Sequence, residues 1–96
     1  MQIENFQQLE NYLRNAGHFE NLGVNKIDVF GSFARNEKFK DIDLLIEGNV
    51  PDEPLIDFKN VLEKDLEIPV DIILSKYAEP IILYRSKQDL KYASRQ

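Results

Sequence analysis

The residues of this chain that are best suited to chemistry are three aspartates in two short apolar segments. Asp41 and Asp43 lie one residue apart at the start of the segment 41–47, and Asp71 lies near the start of the segment 70–74. Because side chains along a strand alternate between faces, Asp41 and Asp43 should project to the same side of a sheet. Neighbouring carboxylates repel each other unless a cation lies between them. A divalent metal ion is the usual solution, and magnesium commonly binds one or two carboxylates together with substrate phosphates.

A Gly-Ser pair, Gly31-Ser32, lies before these aspartates and ends an earlier apolar segment. Glycine at the end of a strand lets the backbone approach phosphates without a side-chain clash. Backbone amides at the start of a helical turn then form a site for anions, to which the serine hydroxyl can add one hydrogen bond. The cations that follow and could reach phosphates are Arg35, Lys38 and Lys40. For the two lysines, a role in surface solubility alone is an equally good interpretation.

Hydrophobic periodicity and turn residues predict the elements that position these side chains. The predicted order is helix 2–16, connection 18–25, strand 26–31, a short helical turn, strand 41–47, helix 52–68, strand 70–74, a short helix from residue 79 and an edge strand near 89–93. The stripe expected to be buried on the longer second helix comprises Leu55, Phe58, Val61, Leu62 and Leu66. His18, the only histidine of the chain, is expected to lie in the connecting loop.

The lengths of the connections predict the strand directions. Eight residues separate Ser32 from Asp41, which is shorter than the ~10–12 residues that a parallel crossover needs. The first two strands should therefore run antiparallel. The second and third strands are joined by a helical connection of about twenty residues, which favours a parallel pair. Since the starts of parallel strands lie together, Asp71 should lie beside Asp41 and Asp43.

Composition limits the classes of protein that this chain can represent. A length of 96 residues predicts one domain, 1–96, and a hydrophobic fraction of 43% favours a globular fold over disorder. The absence of cysteine excludes disulfides and thiolate metal sites, and a single histidine argues against a histidine-based zinc or iron site. No secretory signal or membrane span is apparent, so the expected location is the cytoplasm. A net charge of -5 makes extended nucleic-acid binding a poor interpretation and suits docking on a basic partner.

Three motifs, in this order, resemble the minimal nucleotidyltransferase (MNT) domain of the DNA polymerase β superfamily. They are Gly-Ser-Phe-Ala-Arg at 31–35, Asp-Ile-Asp-Leu-Leu at 41–45 and Val-Asp-Ile at 70–72. The resemblance covers residues from about 24 to 74. It implies the nucleotidyltransferase fold, which is α+β (α/β) with a small mixed sheet and helices packed mainly on one face. It also implies transfer of a nucleoside monophosphate from a nucleoside triphosphate to a hydroxyl group.

The resemblance also implies roles and partners. Asp41 and Asp43 would hold two magnesium ions, Asp71 would complete the acceptor-side ion, and Gly31-Ser32 would hold the leaving phosphates. Many such small domains are antitoxins paired with HEPN-domain RNase toxins, and some adenylylate a toxin tyrosine. The expected partner is therefore a HEPN-domain toxin, and the expected substrate is ATP.

Two departures from the family pattern leave alternatives open. The family usually has about ten residues between the Gly-Ser pair and the first aspartate, and usually has Gly and Ser where this chain has Asn36 and Lys40. Asparagine tolerates a left-handed turn, so the first replacement is mild. The shorter loop keeps one alternative open, an antitoxin with a weak or inactive site that neutralises its partner by complex formation, whereas the intact Asp41, Asp43 and Asp71 favour the enzyme. Transfer to a small molecule such as an aminoglycoside is less favoured, because such enzymes usually carry an added substrate domain.

Overall fold

The computed structural model describes residues 1–75 and 90–96, which form a four-stranded sheet and four helices. The described elements are α1 (Phe6–Asn15), α2 (His18–Leu22), β1 (Lys26–Phe30), α3 (Gly31–Ala34), β2 (Ile42–Ile46), α4 (Asp52–Leu66), β3 (Val70–Leu74) and β4 (Lys91–Ser94). The short helix predicted from residue 79 lies outside the described residues.

The sheet has the strand order β3-β2-β1-β4 and is mixed. Strand β1 pairs antiparallel with β2 and with β4, whereas β2 and β3 are parallel. The directions predicted from the connection lengths are therefore confirmed. The edge strand expected near 89–93 is also present, shifted by about two residues, as β4.

The helices and one face of the sheet form the core. Ile42, Leu44 and Ile46 of β2 are each 0% exposed and belong to the same buried cluster as Leu13 of α1 and Leu62 of α4. Strand alternation predicts that these three residues face the core when Asp41 and Asp43 face away from it, and the structure confirms this. Asp43 alternates with them and so projects to the opposite face.

Helix α1 begins later than its apolar stripe predicts. Asn5 has an extended backbone, and its side-chain Oδ1 accepts a hydrogen bond from the Gln8 amide at 2.9 Å. This is an N-cap, because it satisfies one of the free amides of the first turn. The predicted start at residue 2 is therefore wrong, although Ile3 before the helix is still buried.

The segment predicted as a connection at 18–25 contains the short helix α2. Gly17 and Gly23 flank this helix, both in the left-handed region at φ +73°. Phe19 and Leu22 are buried, and His18 is only 5% exposed. The loop position expected for His18 is therefore wrong, because burial of its two apolar neighbours folds the segment against the core.

Helix α4 runs from just after Pro51 to Glu67, which ends it with a left-handed φ of +57°. The residue type of Asp52, at the predicted start of this helix, predicts an N-cap, but Asp52 lies in the first turn, where its charge suits the positive end of the helix. Most of the predicted stripe is buried or partly buried, but Val61 is 42% exposed. Among the described residues, no helix combines the length and the apolar character that crossing a membrane requires.

Candidate active site

The three aspartates converge where the neighbouring strands β2 and β3 begin. Asp41 immediately precedes β2, and Asp43 and Asp71 are direct register partners on the parallel strands β2 and β3. One carboxylate oxygen from each of the three lies within 4.8 Å of the others. The structure therefore brings together the three residues that strand parity and strand direction placed side by side.

Two hydrogen bonds fix the starts of the strands that carry this cluster. The Ile42 amide donates to the Pro69 carbonyl oxygen at 3.0 Å, which joins the residues just before Asp43 and just before β3. The Val70 amide donates to Oε2 of Glu63 on α4 at 3.0 Å. That hydrogen bond lowers the pKa of Glu63, so its carboxylate remains an acceptor at neutral pH. Glu63 was not predicted as part of the site, and no local sequence pattern indicates a bond that spans seven residues.

Gly31 lies directly against the carboxylate of Asp43. It follows Phe30, the register partner of Asp43 on β1, and has a left-handed φ of +78°. A Cβ atom at this position would overlap Oδ2 of Asp43. Both the left-handed backbone angle and the close approach of the Asp43 carboxylate therefore require glycine at position 31. This close approach places the α3 turn, which contains Ser32, beside the cluster.

Asp43 has a strongly perturbed carboxyl group. Burial, the charges of Asp41 and Asp71, and a hydrogen bond with Asp71 raise the pKa of Asp43 to about 6, against the opposing charge of Arg35. At neutral pH the cluster consequently holds closely spaced negative charge at an energetic cost. A donor set made only of carboxylate oxygens suits hard divalent cations such as magnesium, manganese or calcium.

The cations predicted to reach phosphates differ in their placement. Arg35 directly follows α3, and its Nε donates to Oε1 of Glu37 at 2.9 Å while its charge still acts on Asp43. Lys38 and Lys40 are exposed in the loop that leads to Asp41, and no described contact joins them to the cluster. In the same loop, Asn36 adopts φ +62°, the left-handed conformation that asparagine tolerates in place of glycine.

Comparison with known proteins agrees with this geometry. A family model described as nucleotidyltransferase domain matches residues 10–95. The chain belongs to the nucleotidyltransferase domain family. A putative protein adenylyltransferase from Methanocaldococcus jannaschii is 38% identical over 78 residues, which cover 76% of this chain and 80% of that protein. Enzymes of this family use a nucleoside triphosphate with a divalent metal, and the aspartate cluster offers ligands of the required kind.

Solved structures of toxin–antitoxin complexes share the fold. A tri-AMPylated HEPN toxin in complex with an MNT antitoxin, from Shewanella oneidensis, contains a chain that matches with a TM-score of 0.69 at 18% identity, covering 95% of this chain and 74% of that one. A chain of a toxin–antitoxin structure with AMP-PNP matches with a TM-score of 0.70 at 16% identity, covering 91% and 73%. The nucleotidyltransferase fold expected from the three motifs is therefore confirmed.

Proposed function

We propose that this chain, as a single domain over 1–96, is a protein adenylyltransferase. It moves AMP from ATP to a hydroxyl group of a partner HEPN-type toxin, with tyrosine as the preferred acceptor, and so acts as the antitoxin. The observation that carries the proposal is the convergence of Asp41, Asp43 and Asp71 beside the Gly31 turn in a nucleotidyltransferase domain. The relative named as a putative protein adenylyltransferase and the AMPylated toxin in a complex of the same fold support the choice of reaction and partner.

In the proposed reaction, the acceptor hydroxyl oxygen bonds to the α-phosphorus of ATP. The bond from that phosphorus to the bridging oxygen breaks, and pyrophosphate leaves. Asp41 and Asp43 would hold two magnesium ions, which would stabilise charge on the triphosphate and lower the pKa of the acceptor hydroxyl. Asp71, their neighbour on β3, would complete the acceptor side and take the hydroxyl proton.

The phosphates would bind on the side of Asp43 that faces the α3 turn, and the acceptor hydroxyl on the side that faces Asp71. The amides of Gly31 and Ser32 and the Ser32 hydroxyl are proposed to hold the leaving pyrophosphate, because the α3 turn lies against the Asp43 carboxylate. Arg35 supplies a cation within electrostatic reach of the same carboxylate. Lys38 and Lys40 are proposed to approach the triphosphate from their loop once it binds.

The partner and the location follow from the same proposal. A chain with a net charge of -5 suits a basic partner and makes a broad grip on nucleic acid unfavourable. Use of ATP and a toxin that acts on RNA favour the cytoplasm. The competing function is neutralisation by complex formation alone, which the short loop between Ser32 and Asp41 leaves open.

The test is to incubate the chain with its purified partner, magnesium and ATP, and to weigh the partner by intact mass spectrometry. The partner to test is the product of the neighbouring gene, which the proposal expects to be a HEPN-type protein. We expect an AMP adduct with the wild type, and a loss of roughly a hundredfold to a thousandfold in transfer rate for Asp43→Ala, because a metal ligand is removed. Asp52→Ala, which removes an exposed carboxylate in the first turn of α4 that does not belong to the aspartate cluster, is the matched control and should transfer AMP normally. A wild type that forms no adduct but inhibits the toxin as a stoichiometric complex would establish the competing function.

A further inference from the structure

A groove between α2 and α4 lies across the sheet from the aspartate cluster. Its volume is about 530 Å³, and its apolar lining includes Pro54, Phe58 and Val61 of α4. Helix α4 packs on the face of the sheet that Ile42 occupies, whereas Asp43 projects to the opposite face. The groove is therefore separate from the proposed nucleotide site. Its opening also explains why Val61, predicted to be buried, is 42% exposed.

The charged side chains that line this groove are all acidic among the described residues. Glu53, Asp57 and Asp65 line it along one side of α4, and no lysine or arginine of the described residues lines it. The spacing of its α4 residues, at 53, 54, 57, 58, 61 and 65, is the pattern by which a helix presents one stripe to a partner segment. An apolar floor with carboxylates along it is complementary to a basic segment that carries apolar side chains.

A buried histidine offers a hydrogen-bond acceptor in the same groove. The Tyr12 hydroxyl donates its one proton to Oδ2 of Asp65 at 2.6 Å, and Nε2 of His18 lies 3.0 Å from that hydroxyl. Since the phenol proton is already used, Nε2 must donate to the Tyr12 oxygen. Burial lowers the pKa of His18, so its ring is neutral and Nδ1 is left as an acceptor. Nδ1 has no hydrogen-bond partner among the described residues, and His18 is only 5% exposed and lines the groove.

We propose that the α2–α4 groove is the docking surface for a basic segment of the partner protein. Apolar side chains of that segment cover Phe58 and Val61, a lysine or arginine pairs with Asp57, and a donor group reaches Nδ1 of His18. The identity of the partner as the HEPN-type toxin rests on the proposed function. A second copy of this chain is a poor occupant, because two chains of net charge -5 would bring carboxylates against carboxylates.

The test measures the affinity of the chain for the proposed HEPN-type partner, in a form without RNase activity, by isothermal titration calorimetry. Asp57→Lys reverses a groove charge and Val61→Glu makes the apolar floor polar, and both residues are exposed, so both variants should fold. We expect each to weaken binding by at least about tenfold, and added salt to weaken the wild type more than Asp57→Lys. Glu4→Lys makes a comparable charge reversal outside the groove and should stay within about twofold of the wild type.

The outcomes separate this inference from the proposed function. Groove variants that bind as tightly as the wild type would overturn the docking surface, even if AMP transfer is observed. Loss of affinity in both groove variants without any AMP transfer by the wild type would leave the docking surface standing and overturn the enzymatic function. A wild-type dimer in light scattering that Val61→Glu converts to a monomer would assign the groove to a second copy and overturn the proposal.

Discussion

Two acidic regions on opposite sides of the sheet differ in how their carboxylates are spaced. In the aspartate cluster, oxygens of Asp41, Asp43 and Asp71 lie within 4.8 Å of one another. In the α2–α4 groove, Asp57 and Asp65 are eight residues apart on one helix, a rise of about 12 Å along its axis. Converging carboxylates need a compact cation of high charge, whereas spaced carboxylates with apolar side chains between them suit separate cations on a peptide. The arrangement of the carboxylates, more than their number, decides which cation fits.

The largest effect that distinguishes the two regions should be a loss of AMP transfer when the backbone beside the aspartate cluster is disturbed. Gly31 and Gly23 both have left-handed φ angles, +78° and +73°, but an added Cβ meets Asp43 only at Gly31 and meets nothing within 4 Å at Gly23. Gly31→Ala and Gly23→Ala should each cost about 1–2 kcal/mol of unfolding free energy. Only Gly31→Ala should also lower AMP transfer, by roughly a hundredfold, because Asp43 is displaced. Chemical denaturation and the transfer assay check both effects, and an equal loss of transfer in the two variants would contradict the proposed role of Gly31.

Removing the central charge should change how stability depends on pH. The raised pKa of Asp43, about 6, means that the folded state binds this proton more tightly than the unfolded state. The resulting stabilisation is fully present below about pH 4 and is lost as the pH rises through about 6. The unfolding free energy of Asp43→Asn should not fall in this way as the pH rises. Without metal, this variant should therefore be more stable than the wild type at neutral pH by the order of 1 kcal/mol, after allowance for solvent screening. Denaturation curves of both proteins across this pH range, without metal, provide the measurement, and parallel pH profiles would count against the cluster geometry.

Metal and nucleotide should reverse the order of stability of the same two proteins. Ligand that binds only the folded state stabilises it by ~2.7 kcal/mol at a hundredfold excess over the dissociation constant. Magnesium with ATP should therefore raise the melting temperature of the wild type clearly and that of Asp43→Asn much less. If both respond alike, the metal site lies elsewhere.

On the groove side, an effect on stability alone is expected at the hydrogen bonds that Tyr12 makes with Asp65 and His18. Tyr12→Phe leaves both of these polar side chains without their shared partner and should cost about 1–2 kcal/mol of unfolding free energy. Tyr92→Phe is the matched control, because Tyr92 is 53% exposed and its hydroxyl makes no hydrogen bond with the described residues. Equal stability of the two variants by denaturation would show that the Tyr12 network does not hold α1 against α4.

The same two regions show what the sequence could predict. The convergence of Asp43 with Asp71 follows from strand alternation and connection length, which are local rules that the sequence displays. The burial of His18 does not, because it results from packing against Tyr12 and Phe58, whose ring centroids lie 5.3 Å and 5.1 Å from its own. The exposure of Val61 was also missed. The apolar face of α4 is broader than the part that packs against the core, and periodicity alone does not show which apolar residue at its border is exposed to solvent. The roles of individual site residues, and of Lys38 and Lys40 above all, remain predictions.

The most direct test of the account is the rate of AMP transfer as a function of partner concentration, measured for the wild type, Asp43→Ala and Asp57→Lys. We expect the wild type to saturate and Asp43→Ala to stay near zero at every concentration while it still binds the partner. Asp57→Lys should need at least about tenfold more partner for half-maximal transfer and then approach the wild-type plateau. An Asp43→Ala variant that transfers AMP, or an Asp57→Lys variant with a lower plateau and an unchanged half-saturation point, would contradict the separation of catalysis and docking between the two faces.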